Sequence, residues 1–152
     1  MVIWDKFKEL WKYYIFQSLL TGLVLFIVVL TVGKDKVVII ASMGATAFIC
    51  FAMPKSVSAQ TKHVIGGHFI ALVCGAIFVQ TAMPYYVEFP SVVVLAGFLM
   101  VAFDVEHPPA AGTALAAVVN EVTLVNAAVI IIISILITQC RYYMRNRLRD
   151  LI

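Results

Sequence analysis

The stretch 104-DVEHPPAAGTALAA-117 places two carboxylates, a histidine and two adjacent prolines between long apolar runs. Proline has no amide hydrogen and the residue before it avoids the α region, so a helix cannot run through His107. Proline is well suited to the first turn of a helix, however, so a new helix is predicted to begin at these prolines and to continue over residues 110–119. The stretch therefore predicts a helix break inside an apolar region.

The overall composition indicates a chain that lies in a lipid bilayer. Of the 152 residues, 63% are hydrophobic and only 12% are charged, whereas a soluble domain has roughly a quarter charged residues. The net charge is +3, and the basic residues lie at the chain ends and in short connections instead of forming a stripe with interleaved aromatic residues. This pattern predicts lipid as a partner and argues against nucleic acid.

No cofactor or metal ion is expected from the spacing of the usual ligand residues. The three cysteines, Cys50, Cys74 and Cys140, are widely separated and lie in apolar segments. His63 and His68 are five residues apart, which does not place both on one face of a helix.

Six apolar runs predict the fold class, an all-α polytopic transmembrane bundle with short or broken helices. About 20 apolar residues, at 1.5 Å per residue, cross about 30 Å of hydrocarbon. Three runs reach or approach this length, at residues 15–32, 64–83 and 122–139. Three others are shorter, at residues 37–53, 91–103 and 110–119.

The two ends of the chain differ from its centre. Aromatic residues recur at helical spacing among charges near the start, which predicts an interfacial amphipathic helix over residues 1–14. A transmembrane domain is predicted for residues 15–140 and a basic cytoplasmic tail for residues 141–152. If all six runs cross, nine lysines and arginines lie on one side and only Lys34 and Lys36 on the other. Four crossings would divide them seven to four, so six crossings with both termini in the cytoplasm fit the positive-inside rule better.

A weak internal similarity suggests two inverted repeats of three elements each. The motifs 44-GATA-47 and 111-AGTA-114 each lie in a short apolar run. Inverted repeats are common in secondary transporters, where paired broken segments meet near the membrane midplane. Chance similarity between small-residue helices is the alternative.

The first turn of the helix after the prolines is predicted to bind an anion. Amide groups at a helix start carry partial positive charge, and leaving them unpaired at membrane depth is costly. Ala110, Ala111 and Gly112 leave these amides accessible, and Thr113 adds a hydroxyl group. Glu106, beside His107, is a candidate for proton coupling.

Three blocks resemble the HPP family of small integral membrane proteins, which is named for the tripeptide found here at residues 107–109. The blocks are 44-GATAFICFAMPKSVSAQ-60, 64-VIGGH-68 and 107-HPPAAGTALAA-117. The resemblance implies a polytopic membrane protein, and plant chloroplast and cyanobacterial members are regarded as nitrite transporters. The chain departs from the commoner family pattern at 61-TKH-63, and the family is often described with four spans instead of six.

The predicted function is a transporter or channel for a small inorganic anion, with nitrite as the named substrate, and no enzymatic activity. A homo-oligomer in a prokaryotic plasma (inner) membrane is expected, with close helix contacts at Gly22, Gly75 and Gly97. The predicted substrate-binding residues are His107, Pro108, Pro109, Ala110, Gly112, Thr113, Gly44, Ala45, Thr46, Gln60, Lys62, Gly66, Gly67 and His68. One alternative is a structural or assembly protein whose glycines serve only packing. Another is an intramembrane metalloenzyme using His63, His68, His107 and Glu106.

Overall fold

A computed structural model describes residues 3–152, and the regular elements of this part of the chain are all helices, with no strand. The six helices are α1 (Ile3–Val32), α2 (Val37–Ala52), α3 (Thr61–Phe78), α4 (Tyr85–Ala102), α5 (Pro108–Val119) and α6 (Leu124–Met144). A short 3₁₀ turn, Val57–Ala59, lies between α2 and α3. The predicted all-α class and the helix start at Pro108 are confirmed.

The helices fall into two classes by length. Within the described residues, α1, α3, α4 and α6 are each long and apolar enough to cross a membrane. The other two, α2 and α5, are apolar but have only 16 and 12 residues. At 1.5 Å per residue, α5 is about 18 Å long, well short of the hydrocarbon thickness.

Two side-chain contacts show how the short helices are oriented in the bundle. Nζ of Lys36 donates to the carbonyl of Asn120 at 3.3 Å, which joins the start of α2 to the end of α5. At the opposite end, Nη1 of Arg141 in α6 donates to the carbonyl of Pro54 at 2.8 Å. Between these two ends, α2 therefore runs antiparallel to α5 and parallel to α6. We call the end that carries residues 53–60, 103–107 and the C-terminal tail the terminal side.

Residues 3–14 do not form a separate helix. Residues 3–14 are the start of α1, which continues without interruption for 30 residues, while residues 1 and 2 lie outside the described part. No glycine or proline occurs between residues 3 and 21, so nothing interrupts the helical hydrogen bonds. Trp4, Phe7 and Trp11 are exposed on this extension of the helix. The predicted boundary at residue 14 is therefore absent.

The C-terminal tail is docked against the bundle. The side-chain amide of Gln17 donates to the carbonyls of Phe51 and Arg149, and its oxygen accepts from the amide of Arg149 at 2.9 Å. The amide of Leu151 donates to the carbonyl of Ala52 at 2.9 Å, and the Leu151 side chain is buried. Gln17, itself 1% exposed, thus connects α1, the end of α2 and the tail.

Replacing Gln17 by leucine should release this tail. The substitution leaves the buried carbonyl of Phe51 and the backbone of Arg149 without their partners, at about 1–3 kcal/mol for each unpaired group. We expect a lower thermal midpoint in detergent and faster tryptic cleavage after Arg145, Arg147 and Arg149. Gln139→Leu, at an exposed position of α6, is the matched control. Equal cleavage rates in the two variants would contradict the docking role of Gln17.

The contacts between helices follow a paired pattern. If α1, α2 and α3 correspond to α4, α5 and α6, each contact in one group of helices has a counterpart in the other. The pairs α1–α2, α2–α6 and α1–α6 are in contact, and so are the corresponding pairs α4–α5, α5–α3 and α4–α3. Two further contacts, α2 with α5 and α3 with α6, each join a helix to its own counterpart. An inverted repeat of α1–α3 and α4–α6 would produce this pattern. The repeat itself stays a prediction.

One of the three glycines predicted at subunit contacts is used inside the protomer. A Cβ at Gly75 would lie 2.2 Å from Cβ of Ala117, so this glycine allows α3 to approach α5. Cβ atoms at Gly22 and Gly97 would have nothing within 4 Å. Gly75 is therefore not free for a subunit contact, whereas the other two positions are open in the protomer.

Candidate functional site

The segment that ends α4 turns the chain towards the centre of the bundle. Asp104 adopts a left-handed conformation, with φ of 55°. Its amide donates to the carbonyl of Val101 at 3.1 Å, and the amide of Val105 donates to that of Met100 at 2.9 Å. This pair of bonds is the Schellman arrangement that commonly ends a helix. The chain then enters the protein, where Val105 is 8% exposed and His107 is fully buried.

Two adjacent glycines of α3 make room for this segment. A Cβ at Gly67 would lie 2.7 Å from Cβ of His107 and 3.2 Å from the carbonyl oxygen of Val105. A Cβ at Gly66 would lie 2.7 Å from Cγ1 of Val105. The two sequence motifs 64-VIGGH-68 and 107-HPP-109 are therefore the two sides of one close contact.

Five polar side chains meet where α2, α3 and α5 come together. Oγ1 of Thr46 lies 2.9 Å from Nε2 of His68 and 3.1 Å from Nε2 of His107. Nδ1 of His68 lies 2.8 Å from Oγ1 of Thr113, which lies 2.7 Å from Oγ of Ser42. None of the five is more than 4% exposed. We call these side chains the buried polar network.

Backbone carbonyls terminate the network at both ends. Nδ1 of His107 donates to the carbonyl of Ser58 at 2.7 Å, and Oγ of Ser42 donates to the carbonyl of Pro109 at 2.7 Å. His107 thus attaches the start of α5 to the 3₁₀ turn, and Ser42 attaches it to α2.

The first turn of α5 does not present the row of free amides expected from the sequence. Pro108 and Pro109 have no amide hydrogen, and the amide of Ala110 donates to the carbonyl of His107 at 2.8 Å. The positive end of the helix is therefore nearly bare of donors. An anion at this site would have to bind mainly to imidazole and hydroxyl groups.

Several predicted site residues converge on the network. Thr46, His68, His107 and Thr113 belong to it. Gly67 contacts His107, and a Cβ at Gly112 would lie 3.3 Å from Cβ of Ser42. Ser42 itself was not predicted as a site residue. Ser42 lies four residues before Thr46, which places the two side chains on one face of α2. This spacing is the feature of the sequence that could have identified Ser42.

Other predicted residues lie outside the network. Ala45, Gln60 and Pro108 are exposed. A Cβ at Gly44 would lie 3.1 Å from Cδ1 of Leu25, so this glycine packs against α1.

The charged residues next to the network pair with each other at the terminal side. The ammonium group of Lys62 donates to the carboxylate of Asp104, and this hydrogen bond, together with the positive charge, holds the pKa of Asp104 below its ordinary value. Oε2 of Glu106 lies 3.4 Å from Nδ1 of His63, which is buried. A charged layer therefore lies on the terminal side of the network, formed by Lys62, His63, Asp104 and Glu106. Neither Lys62 nor Glu106 is hydrogen-bonded to the network.

This charged layer does not support the metalloenzyme alternative. Among the described residues, the only group of three or more potential ligands is His63, Asp104 and Glu106, whose ligand atoms lie within 4.8 Å of one another. His68 and His107, which the alternative requires, are in the network instead. Because the ammonium of Lys62 already neutralises Asp104, we assign this group to ion pairing.

Comparisons with known proteins agree with the resemblance noted in the sequence. The family model described as "HPP, transmembrane region" matches residues 6–148. A transmembrane protein of Dictyostelium discoideum is 37% identical over 87 residues, which are 55% of this chain and 30% of the relative. The chain thus spans less than a third of that relative's length. No solved structure matches the chain significantly.

Proposed function

We propose, because the chain belongs to the HPP transmembrane family, that it transports a small inorganic anion through the buried polar network, with nitrite as the first candidate. Polar and ionisable groups are costly inside a membrane and usually mark a substrate or ion pathway. Here two imidazoles and three hydroxyls contact one another inside a bundle whose buried residues are mostly apolar. These groups can all donate hydrogen bonds to a small anion in place of water.

The observation that carries the proposal is the position of His68. It is fully buried between two threonines, Thr46 from α2 and Thr113 from α5. These are the short helices of the two halves, which would correspond in an inverted repeat. If the two halves move relative to each other, the hydrogen bonds of His68 to these threonines must change. Alternating access requires such a change at the substrate site.

The proposal also includes the setting of the protein. The excess of lysine and arginine on the terminal side favours a cytoplasmic location for that side in a prokaryotic inner membrane. We also propose that the protein forms a homo-oligomer in this membrane.

Nitrite uptake into liposomes tests the transport function. Liposomes with the purified protein should take up nitrite faster than empty ones, and unlabelled nitrate, formate and chloride added as competitors should rank the anions. Thr113→Val keeps the side-chain volume but removes a hydroxyl donor, and a hydrogen bond to a charged group contributes about 1.5–3 kcal/mol. The uptake rate should therefore fall about tenfold or more.

Thr138→Val in α6 is the matched control for this experiment. Thr138 is fully buried, but its hydroxyl bonds only within its own helix, to Ile135. The nitrite uptake rate of the Thr138→Val variant should stay close to that of the unmodified protein. Uptake no faster than in empty liposomes, together with no nitrite binding by calorimetry, would refute the transport function.

A structural role for the network is the second candidate function. It is favoured by the finding that all five network side chains already have hydrogen-bond partners within the chain. In a purely structural or assembly protein, Thr113→Val would lower the thermal midpoint while the unmodified protein showed no uptake. The liposome experiment thus distinguishes the two functions.

A further inference from the structure

The buried polar network forms one continuous chain of hydrogen-bonding atoms. From the carbonyl of Ser58 it passes through both nitrogens of His107 to Thr46. It then continues through both nitrogens of His68 to Thr113, and the remaining links are Thr113 to Ser42 and Ser42 to the carbonyl of Pro109. The six contacts are 2.7 to 3.1 Å long.

The network has fewer N–H and O–H protons than it has hydrogen-bonding contacts. Each contact needs one proton, so six are required. A neutral imidazole carries one N–H and a hydroxyl carries one O–H, so two imidazoles and three hydroxyls supply five. The carbonyl of Ser42, 3.0 Å from Oγ1 of Thr46, competes for one of these protons.

The direction of the hydrogen bonds leads to the same conclusion. The network ends at a backbone carbonyl on each side, and a carbonyl can only accept a hydrogen bond. The hydrogen bonds at the two ends must therefore be donated in opposite directions, each towards its carbonyl. A hydroxyl or a neutral imidazole donates on one side and accepts on the other, which keeps the direction unchanged. An imidazolium donates from both nitrogens, so a charged His107 or His68 satisfies every contact.

A single added charge would have no counterion in contact with it, because no carboxylate among the described residues is hydrogen-bonded to the network. On the terminal side Asp104 pairs with Lys62, and Oε2 of the partly exposed Glu106 lies 3.4 Å from Nδ1 of His63. Every member of the network is neutral or cationic. A buried unpaired charge is strongly unfavourable, so the proton needs an anion beside it.

We propose that the network takes up one proton together with each monovalent anion, so that the protein carries proton and anion across the membrane as a neutral pair. This inference rests on the proposed transport function. A proton leaves hydronium or a buffer acid in the aqueous phase on the entry side and adds to a nitrogen lone pair of His107 or His68, and both ions are released on the opposite side. Thr46, which contacts both imidazoles, connects the two positions of the proton.

Calorimetry with nitrite in two buffers of different ionisation enthalpy measures the coupled proton. We expect an uptake of about one proton per bound nitrite, and a doubly protonated imidazole signal in NMR spectra of ¹⁵N-histidine-labelled protein with nitrite bound. Thr46→Val separates the two imidazoles and should reduce the uptake to near zero, whereas Thr46→Ser should restore it. Thr138→Val, outside the network, should keep the unmodified value.

The outcomes separate this inference from the function on which it rests. Nitrite binding and transport without proton uptake, and without the imidazolium signal, would overturn the coupling and leave the transport function intact. Proton uptake that persists unchanged in Thr46→Val would overturn the role of the network in it. If nitrite neither binds nor moves, the transport function and the coupling both fail.

Discussion

Alanine in place of Gly75 is expected to give one of the largest losses of stability in this protein. The new Cβ would lie 2.2 Å from Cβ of Ala117 and 3.3 Å from the carbonyl oxygen of Ala114. A Cβ atom is fixed to its backbone, so no side-chain rotation can relieve this overlap. Therefore α3 and α5 must move apart. Overpacking of this kind costs about 1–3 kcal/mol and occasionally more.

A second substitution should reverse this loss. Ala117→Gly removes the atom that the new Cβ would meet, so the double variant Gly75→Ala with Ala117→Gly should recover most of the thermal midpoint in detergent. Gly97→Ala is the control, because its Cβ would have nothing within 4 Å. Alanine favours a helix over glycine by about 1 kcal/mol, so the control should unfold at the same temperature or slightly higher. A Gly75→Ala protein as stable as this control would mean that α3 and α5 do not pack at this point.

Alanine in place of Gly67 is expected to damage stability and transport together. Its Cβ would lie 2.7 Å from Cβ of His107. Displacing His107 weakens its contacts with Thr46 and with the carbonyl of Ser58, each contributing about 0.5–1.5 kcal/mol, in addition to the overpacking of about 1–3 kcal/mol. We expect a lower thermal midpoint and a decrease of nitrite uptake in liposomes of at least about tenfold.

Comparison with two other glycine variants isolates the effect on the site. Gly22→Ala, at an open position of α1, should leave both measurements unchanged. Gly75→Ala lies two helical turns from His68, so the protein that remains folded should keep more uptake activity than Gly67→Ala. If Gly67→Ala transported nitrite at the unmodified rate, the position of His107 would not matter for transport.

Much of the fold could be predicted because its causes are local. A proline lacks an amide hydrogen whatever surrounds it, so the break at His107 and the helix start at Pro108 follow from the tripeptide alone. The hydrophobic share of the composition similarly requires a membrane environment. The continuity of α1 was missed because aromatic residues among charges fit an interfacial helix and the start of a long spanning helix equally well.

The candidate site could be predicted only in part, because its composition depends on distances between segments far apart in the chain. Lys62 was expected to bind the anion, but it pairs with Asp104, 42 residues away. The amides of the first turn of α5 were expected to be free, but the amide of Ala110 bonds to the carbonyl of His107. Ser42 was absent from the predicted site because its partner Thr113 is 71 residues away.

The sequence by itself determined that this is a helical membrane protein of the HPP family, broken at His107, with polar residues in apolar surroundings. Only the tertiary structure decided which of those polar residues touch. Helix geometry depends on neighbours within a turn or two, whereas Thr46, His68, His107 and Thr113 come from three helices and one loop. The absence of a Cβ at Gly67 and Gly75 allows α3 to approach the start and the end of α5, and this packing brings the four side chains within hydrogen-bonding distance.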